Sequence, residues 1–153
     1  MPNLTHTHLL DLELIVDFRS IRPIGKIAAG MRQIAPIVGG TFKGEELNGT
    51  IEQGSDWFLF LPDGTMKIDV RATMKTDDGI YIYLNYQGYL TATAEVMARF
   101  AKGALLAPEE YNLAMTARFE CGHPRYNWLN HLITVGQGIQ TKTGPIYSIY
   151  KIG

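Results

Sequence analysis

Met66-Lys67-Ile68-Asp69-Val70-Arg71-Ala72-Thr73-Met74-Lys75, then Thr76-Asp77-Asp78-Gly79, then Ile80-Tyr81-Ile82-Tyr83-Leu84-Asn85-Tyr86: on this stretch the fold turns. Met66, Ile68, Val70, Ala72 and Met74 alternate with polar residues, the period of two that a half-buried strand imposes. Asp78-Gly79 follows, a strong hairpin signal because these residues tolerate the positive φ that a tight two-residue loop demands. Strands joined so closely pair antiparallel, since parallel pairing requires a long crossover.

The same alternation extends in both directions. Toward the N-terminus, Leu10, Leu12, Leu14, Val16 and Phe18 fall on one face and Asp11, Glu13 and Asp17 on the other. A Pro- and Gly-containing stretch, 21–30, leads to a second extended segment, 31–38, in which Pro36 lacks an N–H and implies an edge or bulged strand. Gly39-Gly40 then permits a bend or an unusual backbone angle. Short extended segments at 47–53 and 57–61 precede the turn Pro62-Asp63-Gly64.

Toward the C-terminus the pattern breaks at 92–102. Val96, Met97 and Phe100 recur at helical spacing, with Thr93 placed as N-cap and Gly103 as stop. Extended pattern returns at 111–120. A loop or short helix at 124–131 follows, then strands at 132–139 and 145–152 joined by a turn at 142–144. Eight or nine short strands at this spacing predict an all-β fold, a small antiparallel up-and-down barrel with one or two short helices.

The chain of 153 residues reads as one domain, 1–153, with residues 1–7 flexible. A net charge of −1 and the absence of any Lys/Arg run leave no field for a nucleic-acid backbone. No apolar run nears membrane-spanning length, and the N-terminus lacks the basic start and apolar stretch of a signal peptide. Cys121 stands alone, so no intramolecular disulfide forms and a reducing cytoplasm is the expected setting. Neither nucleic acid nor membrane is expected as a partner. The histidines show no metal spacing beyond His6-x-His8, so no metal and no cofactor are expected either.

Polar residues that share one face of a barrel strand can converge on an internal cavity. Asp69 and Arg71 share a face, Tyr83 and Asn85 share one on the hairpin partner, and Arg118 and Glu120 share one further on. Asp56-Trp57 opens a strand, and Tyr126, Trp128 and Asn130 crowd a loop. Each has a plainer reading. Asp69 and Arg71 suit a solvated face, and Tyr83 suits cross-strand packing. Arg118 with Glu120 suits a surface ion pair, the tryptophans suit a core, and Asp56 suits a turn.

One ordered set of motifs goes further. It comprises Gly30-Met31-Arg32-Gln33-Ile34-Ala35-Pro36-Ile37-Val38-Gly39-Gly40-Thr41-Phe42, then Gly44, Leu47 and Gly49, Gly54-Ser55-Asp56-Trp57, Thr76-Asp77-Asp78-Gly79, Asn85 with Gly88, Phe119-Glu120, Tyr126-Asn127-Trp128-Leu129-Asn130 and Val135-Gly136. Spread over roughly residues 8 to 152, this set resembles the family called domain of unknown function 3237. Ser55 stands where the family usually has a second glycine, and Cys121-Gly122-His123 is not one of its signatures. The resemblance implies a calycin-like barrel, often packed as a homodimer or higher homo-oligomer, with no common activity. By motif it points to Arg32, Asp56, Trp57, Asn85, Glu120, Tyr126, Trp128 and Asn130 as site residues. Arg71, Tyr83 and Arg118 rest on the face reading alone.

The leading expectation is a cofactor-independent enzyme, an isomerase, cyclase, lyase or hydrolase, acting on a small carbonyl or phenolic compound. Glu120 or Asp56 would be its base, and Arg118 or Arg71 would hold an oxyanion. A non-catalytic small-molecule-binding barrel is the second reading. A structural or oligomer-interaction protein, whose barrel would be filled with side chains, is the third.

Overall fold

Alternation becomes architecture in the computed structural model, which describes residues 1–153. The strands are β1 (His6–Val16), β2 (Arg22–Ile27), β3 (Gly30–Lys43), β4 (Asn48–Asp56), β5 (Leu59–Phe60), β6 (Met66–Thr76), β7 (Tyr81–Ala92), β8 (Tyr111–Glu120), β9 (Thr134–Gln140) and β10 (Pro145–Ile152). The helix α1 (Ala94–Ala101) lies between β7 and β8, with Thr93 as its N-cap, and Gly103 beyond its end has φ +91°. Strand pairing runs β1-β10-β9-β8-β7-β6-β4-β3, and β3 pairs back to β1, which closes an antiparallel eight-stranded barrel. Pairing already begins at His6, opposite Ile152, within the stretch 1–7 that reads as flexible. No helix is long and apolar enough to cross a membrane.

β2 lies outside the barrel and β9 leaves Val135 and Ile139 exposed, but on the central strands the inward residues are apolar. On β6 these are Met66, Ile68, Val70, Ala72 and Met74; on β7, Ile82, Leu84, Tyr86 and Leu90; on β8, Leu113, Met115, Ala117 and Phe119, all buried. Two adjacent strands carry an extra residue. Gly39 faces Ile15 while Ile37 faces Val16, so Val38 is bulged out of β3. On β4, Ile51 faces Met74 and Gln53 faces Thr73, so Glu52 is bulged out. Such bulges strengthen twist and re-aim the side chains beyond them. Gly40 belongs to this bend: its φ is +144°, and a Cβ there would lie 2.1 Å from the Glu13 carbonyl oxygen.

The two ends of the barrel are closed differently. At one, the turn Asn127–His131 brings Tyr126 and Leu129 into a common core with Phe42, Met74, Ile82 and Phe119. At the other, α1 and the chain after it form a roof. Outside the barrel, β2 pairs only with the start of β3, forming a hairpin where the Pro- and Gly-containing stretch had promised no strand. Pro23 sits in this edge strand, where its missing N–H breaks no ladder.

Candidate functional site

Beneath the roof lies a cavity of about 490 Å³, a volume suited to one small ligand. Its walls come from the end of β1, the start of β3, the end of β4, β5, the start of β6, and β7 and β10 at Tyr86 and Tyr147. Phe100 and the segment 103–106 cover it, and Thr141 and Lys142 stand at its edge. The roof is tied down at Glu110, which pairs with Arg99 and accepts a hydrogen bond from the Ala107 N–H at 2.9 Å.

Most of the wall is apolar, and Asp56 is its one carboxyl. The bulge at Glu52 puts it there: beyond it Gly54, Asp56 and then Phe58 take the inward face in place of Gln53, Ser55 and Trp57. Gly54 keeps the neighbouring strand close, since a Cβ would lie 2.3 Å from the Arg71 carbonyl oxygen. Burial pushes the Asp56 carboxyl up to about 7, and the nearby charge of Asp69 pushes the same way. A hydrogen bond donated by the Asp69 N–H at 3.1 Å and the charge of Arg32 oppose the rise. Removal from water disfavours an ionised carboxylate, and here that effect outweighs its partners. Asp69 itself keeps one buried oxygen, Oδ1, without a hydrogen-bond partner.

Two phenols share the wall with Asp56. Tyr86 and Tyr147 meet edge to face, ring centroids 5.3 Å apart, and both are fully buried. Burial raises both phenols above their ordinary range, and the Asp56 charge adds to it. They therefore stay protonated and able to donate. Gln33 and Gln140 complete the polar lining. A single carboxyl that titrates near neutrality, beside two hydroxyl donors in an apolar cup, can move a proton to or from a bound molecule.

Of the residues named from sequence, only Asp56 lines this cavity. Arg71, Tyr83, Asn85, Arg118 and Glu120 do gather, but on the outer surface: Arg71 stands opposite Asn85, Asn85 opposite Arg118, and Tyr83 opposite Glu120. The expectation that they face inward is corrected by the alternation itself. The interior takes the apolar face, so the polar face of the same strands meets solvent. Arg118 and Glu120 form no ion pair with each other, nor does Arg71 pair with Asp69. Trp57, read as core, is 43% exposed and borders a shallow outer groove with Arg71 and Tyr83.

The remaining motif residues hold the chain together. Arg32 does not reach the cavity, and its guanidinium donates to the Trp57 carbonyl. Tyr126 donates to Asp78 at 2.8 Å, and the Trp128 indole N–H donates to the Arg125 carbonyl at 3.0 Å. Asn130 accepts from the Cys121 N–H at 2.9 Å and donates to its carbonyl at 2.7 Å, standing in for a strand partner. All three lie at the filled end. Tyr86 and Tyr147 were missed, although the signal was present: each is a hydroxyl-bearing ring on an apolar face, among Leu84 and Leu90 or Pro145 and Ile149. No group of three or more His, Cys, Asp or Glu side chains is arranged to hold a metal ion.

The model of a family described as protein of unknown function (DUF3237) matches residues 4–152. The UPF0311 protein RPA1785 of Rhodopseudomonas palustris is 28% identical over 129 residues, 84% of each chain. The crystal structure of RPA1785, described as a conserved protein of unknown function, superposes with a TM-score of 0.93 at 25% identity over all of both chains. A beta-barrel like protein from Acinetobacter baumannii is 34% identical with a TM-score of 0.86, covering 100% of this chain and 98% of that one. The structure of an enzyme from Penicillium herquei, at 18% identity and a TM-score of 0.74 over 100% of this chain and 98% of its own, shares the fold.

Proposed function

This chain belongs to the DUF3237 family, and we propose that within it the protein is a small-molecule enzyme that moves protons with its own side chains. Its substrate is a carbonyl or phenolic metabolite held in the roofed cavity. Asp56 is the acid or base, and Tyr86 and Tyr147 donate hydrogen bonds to a substrate oxygen. A carboxyl poised near 7 can take a proton from one atom and return it to another, which favours isomerisation or cyclisation over hydrolysis. The observation that carries this reading is the placement of Asp56, alone among carboxyls in an apolar wall and held near neutrality by burial.

The test screens small ketones and phenols for turnover. Asp56→Asn is expected to lower kcat by about 100-fold or more while ligand affinity holds. Glu120→Gln, on the outer surface, is expected to change neither. The rate should show an inflection near pH 7 that disappears in Asp56→Asn. Undiminished turnover in Asp56→Asn would overturn the assignment.

The apolar character of the rest of the wall supports a second reading, a barrel that binds and carries its ligand unchanged. Under it, ligands bind the wild type and Asp56→Asn alike and are recovered intact. A cytoplasmic homodimer or larger homo-oligomer is the setting proposed for either reading, and sedimentation of the purified protein checks the assembly.

A further inference from the structure

The cavity opens at the end of the barrel where the chain is least well covered. Phe18 and Leu105 both line the cavity and face solvent, at 49% and 54% exposure. Beside them projects the β2–β3 hairpin, whose Ile24, Ile27 and Met31 are 58%, 43% and 40% exposed. The hairpin tip, Ala28-Ala29, is exposed as well. Apolar side chains left exposed on both faces of a projecting hairpin, Met31 beside Lys26 on one and Ile27 on the other, mark an element that something covers.

Charge indicates what covers it. Residues 18–34 contain Arg19, Arg22, Lys26 and Arg32 and no acid, in a chain whose net charge is −1. Asp17, just before them, is occupied as a cap, accepting from the Arg19 N–H and the Ser20 hydroxyl. Lys142 adds a further cation at the cavity edge. The acids of the adjoining segments, Asp63, Glu95 and Glu109, lie off the hairpin, and Glu110 is neutralised by Arg99. A second copy of the chain would bring one cationic hairpin against another. An anionic surface with an apolar layer beneath it satisfies both features at once.

We infer that the mouth of the barrel rests on an anionic lipid surface, with the β2–β3 hairpin, Phe18 and Leu105 entering the headgroup boundary and Arg19, Arg22 and Lys26 meeting lipid phosphates. This revises the expectation that no membrane is a partner. The contact is peripheral and goes beyond the proposed chemistry: an apolar ligand could pass between the lipid and the cavity without crossing bulk water.

The experiment is co-sedimentation with vesicles of phosphatidylcholine, with and without phosphatidylglycerol, with hydrogen exchange recorded on the bound protein. Binding is expected only when phosphatidylglycerol is present, and it should weaken as salt is raised. Removing one hairpin cation should cost about fivefold in partition, and Arg22→Glu with Lys26→Glu should abolish sedimentation. Ile24→Ser with Ile27→Ser changes exposed positions only and should weaken binding while leaving the fold intact. Protection on binding should fall on residues 22–31 and 103–106. No binding to anionic vesicles, equal binding to neutral ones, protection elsewhere, or self-association through the hairpin would each overturn the inference. Asp56→Asn should bind vesicles like the wild type, so failure of the proposed catalysis and failure of this contact are separately visible.

Discussion

At one end of the barrel Phe42, Met74, Ile82, Phe119 and Leu129 share a packed core; at the other, Ala35, Ile37, Val70, Tyr86 and Tyr147 stand around about 490 Å³ of open space. Both ends are built on the same strands with the same alternation. What differs is the covering chain. The turn at 127–131 inserts Leu129 and is sealed by the Tyr126–Asp78 hydrogen bond, whereas the roof after α1 buries Leu106 at the edge of the cavity and covers the space without filling it. Period-two patterning therefore decides which residues face inward and leaves open whether the inside is full.

Truncation should separate the ends most sharply. Phe42→Ala, fully buried at the filled end, is expected to cost about 3–5 kcal/mol in chemical denaturation. Phe18→Ala, half-exposed at the mouth, is expected to cost less than about 1 kcal/mol. Equal losses would mean that the open end is as tightly packed as the other.

Acid–base behaviour gives a second contrast, because the carboxyls at the two ends are shifted in opposite directions. Hydrogen bonds from Thr76 and then Tyr126 hold Asp78 below the usual carboxylate range. Its stabilisation is therefore present above the unfolded value and is lost as pH falls through the folded one. Asp56 works the other way: the folded state keeps its proton up to about 7 while the unfolded chain releases it near 3.8. Stability from this residue is complete below the unfolded value and drains away as pH rises toward 7, by at most about 4 kcal/mol. Asp56→Asn should flatten the denaturation midpoint between these limits and raise it at pH 8. A midpoint that still falls with pH in that variant would place the titrating group elsewhere. The smallest effect belongs to Tyr126→Phe, expected to cost about 1 kcal/mol through the lost hydrogen bond and to leave ligand affinity in the cavity unchanged.

The strands were largely legible. The hairpin at Asp78-Gly79, the Thr93 cap, the helix end at Gly103 and the bend at Gly39-Gly40 all stand where local chemistry puts them. The β2 strand was not legible, because its Pro- and Gly-containing stretch pairs on one edge only and pays little attention to periodicity. The site was harder to read. Arg71, Tyr83, Asn85, Arg118 and Glu120 form a real constellation, but polar residues on a strand whose other face is apolar belong outside. Asp56 emerged by motif resemblance and not by face, since its inward aim depends on a residue that does not pair.

That unpaired residue, Glu52, has a consequence at the level of the gene. Substituting it changes one exposed side chain, and deleting its codon would straighten β4 while keeping the facing beyond it: Gln53 would follow Ile51 on the outer face, and Gly54 and Asp56 would stay on the inner one. Losing the codon of a paired residue beyond the bulge, such as Ser55, would instead turn Trp57 toward the cavity and Asp56 toward solvent, leaving the barrel's composition almost untouched. Insertions and deletions in the paired stretch between the bulge and the wall, more than substitutions around the wall, are therefore the events by which barrels of this architecture would gain or lose an acid in their interior.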